Sequence, residues 1–317
     1  MPVKRGRIGV VRATRDAYNR GQVHFTGRTS LPELPEVETV VRDLRPLLIG
    51  RRIASVRASR LSLRLPWSRR WNPALVDRRV ERVSRRGKWI VISLEDEHYL
   101  VVHLGMTGQL TVVPQQSLLA PHTHLRFNLA GKESQLRFRD VRRFGSASMF
   151  AGRAALEEFF QRSALGPEPF DLDRTYWRNK VVQTNRCLKA VLLDQRVVAG
   201  VGNIYADEAL FAARLAPIQL GRQTAAGEAD RLRTAVVTVL RRAIDQRGSS
   251  IRDFVGGSGL KGRYQDEFRV YGRMGMPCVR CRAIIERIRL AGRSTHFCPR
   301  CQAPGQEPPV AGRGAGV

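Results

Sequence analysis

Acidic side chains are scarce in this chain. Asp and Glu total 28 against 55 Lys and Arg in 317 residues, a formal net charge of +27. Solubility does not need such an excess, which points to a polyanionic partner, nucleic acid being the commonest one for a soluble protein. The charge says nothing about catalysis. Long apolar runs are also missing: none reaches about 18 residues, so no membrane-spanning helix is expected. Cysteine is rare and unevenly placed, with Cys187 alone in the middle and Cys278, Cys281, Cys298 and Cys301 near the C-terminus. A disulfide-stapled secreted domain spreads its cysteines through a short chain behind an apolar signal segment; neither feature is read here, so a reducing cytoplasm is expected. Internal repeats are lacking as well.

What is present suffices for two domains with real cores, since 43% of the residues are hydrophobic. Residues 1–31 are basic and aperiodic and read as a disordered or wrongly assigned extension; 303–317, rich in Pro, Gly and Ala, read as a disordered tail. A helix is expected from Pro35, with Val37, Val40, Val41 and Leu44 at helical spacing, Gly50 past its end and Pro46 kinking or shortening its last turn. The stretch 51–150 reads as β, for instance Ile90–Leu94 and Tyr99–Leu104 around a polar turn, and Leu125–Leu129 and Leu136–Arg139 around another. Short strands with frequent turns predict a sandwich. Gly166-Pro167-Glu168-Pro169 marks a linker, after which helices are expected over Leu188–Val198, Ile204–Leu215 and Ala225–Gln246. The expected architecture is α+β: a sandwich with a leading helix over 32–164, a helical domain over 165–272 and a small module over 273–302.

That module carries Cys278-x2-Cys281 and Cys298-x2-Cys301, separated by 16 residues. Each CxxC places two thiolates on one side of a tight turn, and two such turns make a tetrahedral cage suited to one zinc ion. With no open coordination position the zinc is expected to be structural. The segment 284–297 alternates as a β-hairpin, and the surrounding arginines suit a surface laid against phosphate. Cys187, on an apolar helix, reads as a core thiol.

Ordered motifs run from residue 31 to about 302: Leu31-Pro32-Glu33-Leu34-Pro35-Glu36-Val37-Glu38, Arg86-Gly87-Lys88, His103-Leu104-Gly105-Met106, Asp140-Val141-Arg142-Arg143-Phe144-Gly145, Leu165-Gly166-Pro167-Glu168-Pro169, Gly200-Val201-Gly202-Asn203-Ile204-Tyr205, Val270-Tyr271-Gly272-Arg273 and the cysteine module. As an ordered set they resemble the formamidopyrimidine-DNA glycosylases. The resemblance implies a helix–two-turn–helix in the second domain and a base-excision repair enzyme that removes oxidised purines from double-stranded DNA and then nicks the strand. It implies a monomer without membrane association, in the bacterial cytosol near the nucleoid.

By the same resemblance Pro32 is the nucleophile, Glu33 the general acid, Lys88 an aid to β-elimination, and Arg293 the phosphate-gripping residue tied to δ-elimination. His103, His122, Lys189 and Asn203 match DNA-backbone contacts. Met106, Arg142 and Phe144 match side chains that fill the gap left by an extruded nucleotide. Glu36 reads either as an orienting group or as an ordinary first-turn glutamate. One departure precedes Lys189, where relatives often carry lysines and this chain has Gln183-Thr184-Asn185-Arg186. The Gly-rich stretch 256–267 fits a loop over the extruded base, and its length favours the purine branch.

Pro32 follows Leu31 here, so its nitrogen is an amide, whose delocalised lone pair cannot attack a sugar. Three readings stay open: translation that starts at the Leu31 codon and exposes Pro32 on loss of the initiator, proteolytic removal of 1–31, or a retained extension. The competing functions are an endonuclease VIII-like enzyme for oxidised pyrimidines and a non-catalytic binder of damaged DNA.

Overall fold

A computed structural model describes residues 32–131, 133–250 and 256–304. The extension read over 1–31 and all but residues 303–304 of the tail lie outside the described residues. Helix α1 spans Leu34–Leu48 and continues through Pro46, so the expected shortening does not occur. Its face of Val37, Val40, Val41, Leu44 and Leu48 is buried, closing one side of a sandwich.

The sandwich is two four-stranded antiparallel sheets. Its strands are β1 (Ile53–Ala58), β2 (Val80–Arg86), β3 (Trp89–Leu94), β4 (His98–His103), β5 (Gly108–Pro114), β6 (Thr123–Leu129), β7 (Ser134–Asp140) and β8 (Ser146–Ala151), with a short α2 (Asn72–Leu75) between the first two. One sheet has the order β1-β6-β7-β5, the other β2-β3-β4-β8. Alternation sorts the side chains: in β6, Leu125, Phe127 and Leu129 enter the core while Arg126 and Asn128 face outward. Arg86 pairs with Trp89, which leaves Gly87 and Lys88 as a two-residue hairpin turn. Gly87 has φ +56° there, a left-handed conformation natural to glycine.

Helix α3 (Arg153–Arg162) packs back on the sandwich, with Phe159 against Trp89 and Phe150. The second lobe holds α4 (Arg174–Val182), α5 (Leu188–Leu193), α6 (Asn203–Ala213) and α7 (Ala226–Asp245). Its core gathers Trp177, Leu192, Tyr205, Leu210, Leu232 and Val236, together with Leu34 from the start of α1. Helix α5 stops five residues short of the expected Val198. Asp194 intervenes: its carboxylate accepts from the Arg196 amide at 3.0 Å and from Arg186 Nη1 at 2.7 Å, bonds that favour a turn over another helical turn. Two helices, α3 and α4, escape the sequence pattern because each is short and only weakly apolar. The last element is a hairpin of β9 (Glu286–Leu290) and β10 (Arg293–Phe297), which meets the expectation for 284–297.

Candidate active site and DNA interface

Both lobes meet at the N-terminus of α6. Glu33 is 1% exposed, and its carboxylate accepts from the amides of Ile204 at 2.9 Å and Tyr205 at 3.4 Å. Free amides at a helix start attract an anion. The chain makes room with Gly202, where a Cβ would fall 2.3 Å from Glu33 Cδ. Burial pushes the Glu33 carboxyl up to about 7; Glu36 adds to the rise, while Lys88 and the two amides oppose it. A carboxylic acid that titrates near neutrality is suited to proton donation. Pro32, immediately before it, is buried.

Lys88 reaches the same pocket from the hairpin turn. Burial lowers its pKa, and Arg293 lowers it further against the pull of Glu33 and Glu36. Glu168, from the linker, fixes this turn. Its carboxylate accepts from the Gly87 amide at 2.6 Å, Arg86 Nη1 at 3.1 Å and Arg85 Nη1 at 2.7 Å. Glu36 proves to be an internal brace. It accepts from the Glu33 amide at 2.9 Å, the Tyr205 hydroxyl, and the amide and hydroxyl of Ser249 at 2.7 and 3.0 Å.

His103 ends β4 beside Lys88, with Trp89 edge-on at 4.7 Å. Burial, Lys88 and Arg64 together hold its imidazole down to about 4, so it is neutral at pH 7. The Gly105 amide donates to its Nδ1 at 3.0 Å, which leaves the ring proton on Nε2 as a donor. His122 is exposed, with φ +65°, in the turn before β6.

Met106, Arg142 and Phe144 lie on two adjoining loops, after β4 and after β7. Phe144 is 45% exposed and Arg142 stacks over its ring at 4.7 Å. Buried Asp140 ties the loops together, accepting from the Thr107 hydroxyl and from the amides of Arg142 at 3.2 Å and Gly145 at 2.7 Å. At Gly105 a Cβ would sit 2.4 Å from the Gly145 nitrogen, so the two backbones touch.

Lys189 departs from its expected place. It is 0% exposed, and its ammonium donates to Asp207 and, at 2.9 Å, to the Asn203 carbonyl. Its charge is thus spent inside the protein. Asn203 opens α6 as expected, but its Nδ2 donates to the Ser294 carbonyl on β10 at 3.0 Å, while its buried Oδ1 has no partner among the described residues. Arg186, in the departing segment, is held by Asp194. In the glycine-rich loop, Ser258 hydrogen-bonds Asp43 of α1 at 2.8 Å and Tyr264 is buried.

The four expected zinc ligands converge. Their sulfurs all lie within 4.8 Å of one another, with Cys281–Cys298 at 3.4 Å and Cys278–Cys301 at 3.9 Å. Sulfurs at about 2.3 Å from a tetrahedral zinc fit that spacing. The amides of Arg280 and Cys301 point at Cys278 Sγ and Cys298 Sγ at 3.4 and 3.3 Å, as amides do toward thiolates. The module packs on α6 through Phe211, over which Arg280 lies at 4.2 Å. Sequence reading gave no role to Asp140 and Glu168, though both lie in the quoted motifs, and missed Asp207 and also Glu208, whose carboxylate accepts from the amides of Arg269, Val270 and Tyr271. Their signal was weak because acids are common and these ones contact the backbone.

Comparison with known proteins agrees with this geometry. Residues 31–147 match the formamidopyrimidine-DNA glycosylase N-terminal domain, 165–255 its H2TH domain, and 275–304 the zinc finger found in FPG and IleRS. The fold and site are therefore those of a DNA glycosylase with a helix–two-turn–helix and a zinc finger. The formamidopyrimidine-DNA glycosylase of Heliobacterium modesticaldum is 44% identical over 86% of this chain and all of its own length. That of Moorella thermoacetica is 47% identical over 82% of this chain and 95% of its own. Wild-type Lactococcus lactis Fpg, solved with DNA containing an N7-benzyl-Fapy-dG, superposes with a TM-score of 0.80 at 36% identity, covering 86% of this chain and all of that one. The chain belongs to the formamidopyrimidine-DNA glycosylase family.

Proposed function

We propose that this enzyme excises oxidised purines from duplex DNA through a Schiff base on Pro32 and then breaks the strand by β,δ-elimination. The nitrogen of Pro32, once free, attacks C1′ of the extruded nucleotide. The bond from C1′ to the base breaks, and the base leaves as a neutral molecule by taking up the proton that the proline nitrogen sheds on bonding to C1′. Glu33 protonates the ring oxygen as the sugar opens, and the resulting cationic iminium draws electrons during elimination. Lys88 assists the β step and Arg293 grips the phosphate that leaves in the δ step. Neutral His103 and Asn203 donate to the DNA backbone, and exposed His122 adds a contact. Met106 and Phe144 fill the vacated stack while Arg142 pairs with the orphaned base. Zinc, when bound by Cys278, Cys281, Cys298 and Cys301, stiffens the hairpin that presents Arg293. We read the acting species as a monomer whose working lobes are 32–164 and 165–272 with the finger over 273–302.

The observation that carries this reading is the Glu33 carboxyl, buried on the start of α6, titrating near neutrality and adjacent to Pro32. The test compares a chain beginning at Pro32 with the full chain on duplex DNA bearing 8-oxoguanine opposite cytosine. Borohydride is expected to trap a covalent complex with the first and none with the second. Nicking by a preparation whose residue 1 is intact would overturn the proline mechanism. Trapping on oxidised pyrimidines alone would assign the enzyme to the endonuclease VIII-like branch, and tight binding without trapping would make it a non-catalytic binder.

A further inference from the structure

Lys189 and Asp207 form an ion pair with neither side chain exposed. The pair does not end there. Asp207 Oδ2 accepts from the His296 amide at 3.0 Å and lies 3.3 Å from His296 Nδ1. Asn203, one turn earlier on α6, donates to the Ser294 carbonyl at 3.0 Å, and Lys189 also holds the Asn203 carbonyl. Ser294 and His296 belong to β10, which begins at Arg293. The first turns of α6 therefore grip the finger strand at two alternate residues. The same turns receive Glu33 through the amides of Ile204 and Tyr205.

Burying an ion pair is expensive in desolvation, and an apolar replacement of equal volume often matches it in stability. What a buried carboxylate adds is directed hydrogen bonds that admit one arrangement. Arg293 itself is exposed, yet its charge is felt at Lys88. Its distance from the pocket is thus set by how β10 sits on α6. We infer that Asp207, held by Lys189, is a positioning residue that fixes the finger hairpin on α6 so that Arg293 meets the phosphate beside the reacting sugar. This rests on the assignment of Arg293 to phosphate made above.

The test uses equilibrium binding to a duplex carrying a tetrahydrofuran abasic-site analogue, titrated with salt. It needs no Schiff base and so does not depend on Pro32. Each phosphate contact contributes about 0.9 to the slope of log affinity against log salt. Arg293→Ala is expected to reduce the slope by about 0.9. Asp207→Asn should reduce it by a similar amount, with no further loss when both changes are combined. The paired change Lys189→Met with Asp207→Leu leaves no charge buried alone, and it should give the same reduction with one zinc retained per chain. A general loss of stability would weaken binding without this shared, non-additive change in slope. If Arg293→Ala lowers the slope while both Asp207 variants keep the wild-type value, the positioning role is wrong. Additive losses, or failure of both variants to fold with zinc, overturn it too. An unchanged slope in Arg293→Ala itself instead refutes the phosphate assignment, and the positioning role with it.

Discussion

The pocket around Glu33 and the rim around Phe144 solve opposite problems. In the pocket, charge is buried and every acid has several protein donors: Glu33 has two amides, and Glu36 has two amides and two hydroxyls. At the rim, Phe144 stands 45% exposed and Val141 44% exposed, with arginine stacked alongside. The pocket shifts proton affinity by excluding water; the rim leaves apolar surface in the open. Each is held in a different way. A helix terminus holds the pocket, whereas a single buried acid, Asp140, holds the rim.

The largest break in this comparison comes from Glu33→Gln. Excision should fall by about 10²- to 10⁴-fold, the usual worth of a positioned acid, measured in single-turnover assays on 8-oxoguanine DNA. Stability should move the other way. The Glu33 carboxyl rises from 4.5 to about 7 on folding, so the folded state holds the extra proton and stability falls as pH rises through that window. The variant lacks this loss and should be more stable at pH 8 by up to about 3 kcal/mol, read from urea unfolding at pH 5 and pH 8. The wild-type excision rate should likewise decline as pH rises past about 7; a rate limited only by deprotonation of the amine would keep climbing. Next comes Asp140→Ala. It strips a buried acceptor from three donors and should cost about 3 kcal/mol of stability, and calorimetry would reveal it. Binding to undamaged DNA should change little, while affinity for lesion DNA drops. The smallest effect is expected from Phe144→Ala: stability within about 0.5 kcal/mol of wild type, and kcat/KM down about tenfold, some 1.4 kcal/mol in the barrier, because the vacated stack is less well filled. An equal loss on single-stranded substrate would show that Phe144 is not a wedge.

These expectations also mark what the amino-acid sequence could convey. The sandwich was readable because alternation in segments such as Leu125–Leu129 encodes a face directly. The cysteine cage was readable because two CxxC pairs 16 residues apart, outside a thioredoxin-like context, suit one metal ion. The extent of α5 was not, since Asp194 ends it through bonds to Arg186 before the helix and to the Arg196 amide after it. Lys189 misled for a similar reason. The family resemblance set it against the DNA backbone, and only the fold shows that Asp207, 18 residues away, faces it in the interior. Motif order brought Pro32, Glu33 and Lys88 to one place, but Glu168 and Asp140 hold backbone amides, and such partners leave no trace in residue spacing.

The seat of Glu33 lies on amides that come 171 residues later in the chain. During synthesis the sandwich strands are complete once Ala151 has left the ribosome, well before α6 exists. A nascent chain thus carries its acid unhoused, in water, with an ordinary affinity for protons. The carboxylate gains its helix-terminus seat only when the second lobe is made and docked, a delay written into the topology.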